Sequence, residues 1–159
     1  MPEIVVADTS PFLCLHRSRL LHLLPALYGR VLIPPMVAEE IAAGERGGFD
    51  IPHVPSLTWV EIRQPTHPLP VHPKLHPGEQ AAIALALEMG LRVLIDDLAG
   101  RRYLHERHHP FTGTLAVVIE AKRQGLLAQV APHLDLIASQ GFWLDEAVRR
   151  QVLKLAGEL

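Results

Sequence analysis

The sequence predicts an α/β fold, a three-layer α/β/α sandwich with a central parallel sheet. Short unbroken apolar runs are the first sign: "IVVA" (Ile4–Ala7), "RVLIP" (Arg30–Pro34) and "RVLI" (Arg92–Ile95). They read as strands buried on both faces, because a half-exposed strand would alternate. The second sign is that segments of helical periodicity separate these runs, and such alternation builds a parallel sheet covered on both sides. The third is composition. A chain of 159 residues, 48% hydrophobic and 20% charged, is globular and large enough to bury one core. Residues 1–159 are therefore expected to form a single domain, with 113–159 as terminal helices packed on it.

Taken in order, strand Ile4–Ala7 leads into helices over Ser10–His16 and Ser18–Leu27. In the second, Leu20, Leu23, Leu24 and Leu27 make an apolar stripe. "RVLIP" is the next strand, and Pro35 opens a helix that runs to about Ala43 and stops at Gly44. Pro and His then recur from Pro52 to Pro77, a density that forbids a long helix and leaves room for one strand in "TWVEIRQ". "PGEQAAIALALEMG" is a helix with Pro at its first turn and Gly at its end. "RVLID" is the third buried strand, followed by a helix from about Leu98 to Arg107. "HPFTGT" offers a short strand, and "LAVVIEAKRQG", "LLAQVAPHLDLIASQG" and "DEAVRRQVLKLAG" close the chain as helices.

No apolar run approaches the length of a membrane span, and "MPEIVV" lacks the form of a secretory signal. These features predict a soluble cytoplasmic protein without a membrane partner. The single cysteine, Cys14, cannot form an internal disulfide and reads as a small core residue. A formal net charge of −2 gives the molecule no global attraction for nucleic acid. Any polyanion must be drawn by local arginines and metal ions.

Two of the buried strands run into acids: Asp8 follows the first, and Asp96–Asp97 follow the third. In parallel α/β folds, ligands gather outside the carboxyl ends of strands. Helix geometry adds two more. At about 100° per residue, Glu40 borders the apolar side set by Val37 and Ile41, whereas Glu39 faces solvent. Glu79 lies near the centre of the stripe formed by Ala82, Ile83 and Ala86, with Glu88 opposite. Each acid has an ordinary alternative taken alone. Asp8 and one acid of "IDD" suit helix caps, Glu79 suits a helix N-terminus, and Glu40 suits the surface. Together they bring like charges to one end of one sheet, where they raise one another's pKa values and oppose folding. A hard cation, Mg²⁺ or Mn²⁺, held by carboxylates and water resolves that conflict. One ion or a pair can then promote phosphodiester hydrolysis.

The motifs "VVADTSPFLCL", "YGRVLIPPMVAEEI", "LHPGEQAAIALALEMG", "VLIDDLAGRR", "TGTLAVVIEAKRQG" and "GFWLDEAVRRQVLKLAGE" resemble, in this order, the PIN domain, a fold of metal-dependent ribonucleases that includes VapC-type toxins. The resemblance implies that Asp8, Glu40, Glu79 and Asp97 are catalytic acids that hold the metal. Asp96 is an alternate or additional ligand. Ile95 stands where most members carry a threonine. Thr9 or Ser10 matches a hydroxyl that orients the first acid, and Thr112 and Thr114 lie at the next strand end, within reach of a carboxylate, water or phosphate. Arg17, Arg19, Arg101 and Arg102 follow the acid-bearing strand ends and are candidates to grip RNA. A toxin would have a cognate antitoxin covering the acids.

Two other readings compete. "HERHH", His105–His109, satisfies the H-E-x-x-H zinc-hydrolase pattern, although Pro110 follows it directly and disfavours helical geometry at His109. Alternatively, a PIN-like fold with an incomplete acid cluster serves as an RNA- or protein-binding module. Val148, Val152 and Leu155 on one side of the last helix offer a face for a homodimer.

Overall fold

The structure is a computed structural model and describes residues 3–159. Five parallel strands form one sheet in the order β3-β2-β1-β4-β5. They are β1 (Val5–Ala7), β2 (Val31–Ile33), β3 (Val60–Ile62), β4 (Arg92–Leu94) and β5 (Phe111–Thr112). Every side chain of β1 and β2 is buried, which accounts for their unbroken apolar sequences.

Strand alternation sorts these residues onto two cores. Val5, Ala7, Val31, Ile33 and Leu94 face one helical layer, and Val6, Leu32, Val93 and Ile95 face the other. The first layer holds α1 (Thr9–Arg17), α2 (Leu23–Leu27), α3 (Pro35–Arg46), α6 (Thr114–Arg123), α7 (Ala131–Ser139) and α8 (Glu146–Leu155). The second holds α4 (Pro77–Met89) and α5 (Leu98–Glu106). The three-layer sandwich is thus present. None of the helices among the described residues is long and apolar enough to cross a membrane.

Several local expectations differ from the structure. The stretch expected to be helical from Ser18 breaks there. Arg19 adopts left-handed backbone at φ 61, and the Leu20 N–H bonds to the Leu15 carbonyl at 2.7 Å. This tight turn buries Leu20, Leu23 and Leu24 completely, so their helical spacing reflects a buried turn feeding the short α2. Helix α3 runs through Gly44 to Arg46, and the missing side chain there makes room for Ile51. A 3-10 turn, Val54–Ser56, precedes β3 and was not legible among the prolines. In "LLAQVAPHLDLIASQG" only Ala131–Ser139 is helical. The expected dimer face is largely consumed inside the chain: Val152 is buried, Val148 packs against the core, and only Leu155 remains exposed.

Candidate active site

Strand order places β1 and β4 side by side, although the chain leaves β1 towards β2 and β3 before returning to β4. Such a reversal opens a crevice at the carboxyl ends of the strands, the usual ligand position in this architecture. Asp8 ends β1, with its N–H bonded to the Leu94 carbonyl at 3.0 Å. The residue is only 3% exposed. Asp8 occupies the N-cap position of α1, yet its side chain makes no capping hydrogen bond. Burial raises its pKa to about 7; the Thr9 amide offsets part of this, and the charges of Glu79, Glu40 and Asp97 push it further up.

Glu79 enters from the first turn of α4. It is buried, and its Oε2 accepts the His76 N–H at 3.1 Å. Both the inward orientation and the helix-terminal alternative are therefore realised. Burial raises its pKa, the His76 amide opposes that rise, and Asp97 and Glu40 add to it. Glu40 comes from α3 and is exposed, but its carboxylate meets α4 at Gly78. A Cβ on Gly78 would lie 2.7 Å from Glu40 Oε2 and closer still to Oε1. Only glycine admits this approach. The Thr9 hydroxyl donates to Glu40 Oε2, so Thr9 positions the second acid rather than the first.

The acids after β4 separate sharply. Asp97 caps α5, accepting the Gly100 N–H on Oδ2 at 2.8 Å, and its charge acts on both Asp8 and Glu79. Asp96 turns towards the N-terminus of α6. It accepts the Thr114 N–H at 2.8 Å and the Thr114 hydroxyl. Burial raises the Asp96 pKa, against the pull of Thr114 and Arg101. Gly113 allows this contact, since a Cβ there would stand 2.8 Å from Asp96 Oδ1. Gly78 and Gly113 were not singled out in the sequence. The available signal was a poor helix former in the first turn of α4 and a glycine between two threonines.

Four acids from four segments thus share one electrostatic neighbourhood. Among the described residues, none of Asp8, Glu40, Glu79 and Asp97 has an ion-pair partner. Also among the described residues, no three His, Cys, Asp or Glu side chains gather tightly enough to hold a metal ion. Glu40, Glu79 and Asp97 are each drawn to a local donor instead. The donor chemistry nevertheless fits a hard divalent cation: every candidate is a carboxylate.

The other predicted residues divide. Thr114 is buried beside Asp96, whereas Ser10 is exposed on the first turn of α1. Thr112 lines a different cleft, with Tyr28, Arg92 and Glu120. Arg101 lies over the Phe111 ring, 5.2 Å from its centroid, and its charge reaches Asp96. Arg102 is exposed on the same helix. Arg17 ends α1 and donates to the Asp50 carbonyl at 3.3 Å, and Arg19 follows in the turn. At 1.5 Å per residue, the helix sets the Arg17 backbone about 12 Å along its axis from Thr9.

The zinc-hydrolase reading of "HERHH" fails. Helix α5 ends at Glu106, and His108 has left-handed backbone at φ 53. His109 Nε2 is 2.6 Å from the Leu91 carbonyl, so His105 and His109 do not share one helical face. Cys14 is partly buried, and burial lifts its pKa to about 11, an inert thiol as expected.

This sandwich, with acids following β1 and β4 on either side of its switch point, defines an α/β protein with a five-stranded parallel sheet flanked by helices. Within that class the chain belongs to the PIN-domain family: a family model described as a PIN domain matches residues 4–158. Its members are often nucleases, and PIN domains typically bind divalent metals. No curated protein matches the chain. Among solved structures it is similar to a PilT N-terminus domain protein from the hyperthermophilic archaeon Sulfolobus solfataricus. The two share 16% identity over 90% of this chain and 98% of that one, with a TM-score of 0.49.

Proposed function

We propose that the protein is a divalent-metal-dependent ribonuclease that hydrolyses RNA phosphodiester bonds. Asp8, Glu40, Glu79 and Asp97 are the residues that would hold Mg²⁺ or Mn²⁺, with Asp96 as a supporting acid. One observation carries the reading: Asp8 is a buried, uncapped carboxyl in the field of three further acids, without a paired cation among the described residues. Burying such a group costs several kcal/mol, on the order of magnitude of a whole domain's net stability, unless a proton or a metal accompanies it.

A bound divalent cation lowers the pKa of water and withdraws charge from a phosphate oxygen. The chain's own part is to place ligands and exclude alternatives. Thr9 holds Glu40, the His76 amide holds Glu79, and the Gly100 amide holds Asp97. Thr114 fixes Asp96 at the start of α6. No protein nucleophile is required, and the inert Cys14 does not supply one. If the protein is the toxin of a toxin–antitoxin pair, its antitoxin would seat a basic side chain among these acids.

A weakly active or inactive binding module is the second reading, favoured by the absence of three gathered ligands among the described residues. End-labelled RNA incubated with Mn²⁺ or Mg²⁺ separates the two. The ribonuclease reading predicts metal-dependent cleavage that disappears in Asp8→Asn. Cleavage that survives Asp8→Asn contradicts it, and RNA binding without cleavage by the native chain establishes the module.

A further inference from the structure

We infer that single-stranded RNA leaves the acid crevice along the α5–β5 flank, through a groove lined by Leu98, Arg101, Arg102, His105 and Phe111. This path rests on the ribonuclease reading and deepens it. The groove has a volume of about 390 Å³, and every charged or titratable residue lining it is basic. Its lining includes Leu98, the residue directly after Asp97.

Pairing of the arginines sets this flank apart from the β2–β3 side. Arg30, Arg46 and Arg63, on the β2–β3 side, are bound to Glu61, Glu39 and Glu61. Arg101 and Arg102 have no ion pair among the described residues. Arg102 also borders a second depression of about 270 Å³ that contains His72 and Lys74, with Glu106 as its one acid. The groove on the β3 side, about 210 Å³, has Glu39 and Glu45 as its only charged residues. A phosphate backbone is attracted to the first flank and repelled from the second.

The groove also carries what a single strand needs and a duplex does not use. Leu98 is 76% exposed and follows Asp97 directly, an apolar surface for an unstacked base. Arg101 is held over Phe111 with its Nη2 3.5 Å from the position a Gly113 Cβ would take. Its guanidinium thus lies at the groove, where a phosphate can take two of its N–H donors. Arg102 and His105 stand exposed on the wall and meet the next part of the backbone.

The test is fluorescence anisotropy of fluorescein-labelled oligouridylate with the full chain in EDTA, over a series of KCl concentrations. The expected result is that Arg102→Glu weakens binding about tenfold and flattens the salt dependence, by a slope of ~0.7 per lost phosphate contact. Arg102→Lys should recover most of the affinity, and Arg46→Glu on the opposite flank should bind as the native chain does. Equal affinity and slope for Arg102→Glu overturn the path, even where Asp8→Asn has abolished cleavage and the nuclease reading stands. Preference for duplex RNA, or for an acidic peptide over the oligonucleotide, also overturns it. Retained cleavage by Asp8→Asn removes the nuclease reading and the path together.

Discussion

Asp96 and Asp97 are consecutive, yet they answer to different partners. Thr114 takes Asp96 by its N–H and its hydroxyl, while Asp97 caps α5 and acts electrostatically on Asp8 and Glu79. The pair therefore divides into an anchor between α5 and α6 and a member of the acid cluster.

That division predicts opposite phenotypes. Asparagine caps helices about as well as aspartate, so Asp97→Asn should keep its stability to within about 0.5 kcal/mol while losing metal affinity and RNA cleavage. Asp96→Ala strands the buried Thr114 donors and should cost about 1–3 kcal/mol of stability. Chemical denaturation beside a cleavage assay reads both. Equal stability losses in the two variants would contradict the division.

Gly78 offers a second test. Its missing side chain lets the Glu40 carboxylate reach the start of α4, and the atoms in the way are the far end of a flexible side chain. Gly78→Ala should consequently fold, with a melting temperature within a few degrees of native, because Glu40 can swing aside. The displaced carboxylate should then weaken Mn²⁺ binding. Native Mn²⁺ affinity in this variant would remove Glu40 from the ligand set.

The pH dependence of the metal-free chain has a definite sign. Asp8 has a folded pKa of about 7 against 3.8 for the free side chain, chiefly through burial. Between those values the folded state holds the proton more tightly than the unfolded state. Stability is therefore greatest on the acid side and declines as pH rises through the window. At about 1.4 kcal/mol per tenfold in proton affinity, the decline attributable to Asp8 amounts to ~4 kcal/mol. Asp8→Asn should be more stable than the native chain at pH 8 and should lose most of that advantage near pH 4. Melting curves in EDTA across this range check it, and a native chain that gains stability from pH 5 to pH 8 relative to Asp8→Asn contradicts it.

Much of this was legible in the sequence because burial leaves a periodic trace. The unbroken runs of β1, β2 and β4 gave away a sheet covered on both faces, and 100° spacing turned Glu79 inwards. What the periodicity missed were contacts determined by a neighbour in space. The left-handed turn at Arg19 mimics helix spacing because Leu20, Leu23 and Leu24 are all buried. Gly44 reads as a helix stop but makes room for Ile51, and Gly78 makes room for Glu40. Thr9, adjacent to Asp8 in sequence, serves Glu40 thirty-one positions away. Likewise, the partners of Asp96 and Asp97 depend on where α6 begins relative to α5.

The C-terminal end supplies a prediction independent of the acids. Glu158 accepts the Val130 and Ala131 N–H groups at 2.6 and 3.1 Å and pairs with Lys122 at 2.9 Å. It thereby ties the chain end to the start of α7. Glu158→Ala should cost about 1–3 kcal/mol, because it leaves partly buried amides without an acceptor. Hydrogen exchange at Val130 and Ala131 should accelerate, and protection unchanged from native would contradict this role.

Calorimetric titration of the metal-free chain with Mn²⁺, in two buffers of different ionisation enthalpy, examines the acid crevice most directly. The account predicts saturable binding with proton release near pH 6.5, since Asp8 must give up its proton, and affinity at least about tenfold lower in Asp8→Asn. Absence of binding by the native chain, or equal affinity in Asp8→Asn, would contradict a metal held by these four acids.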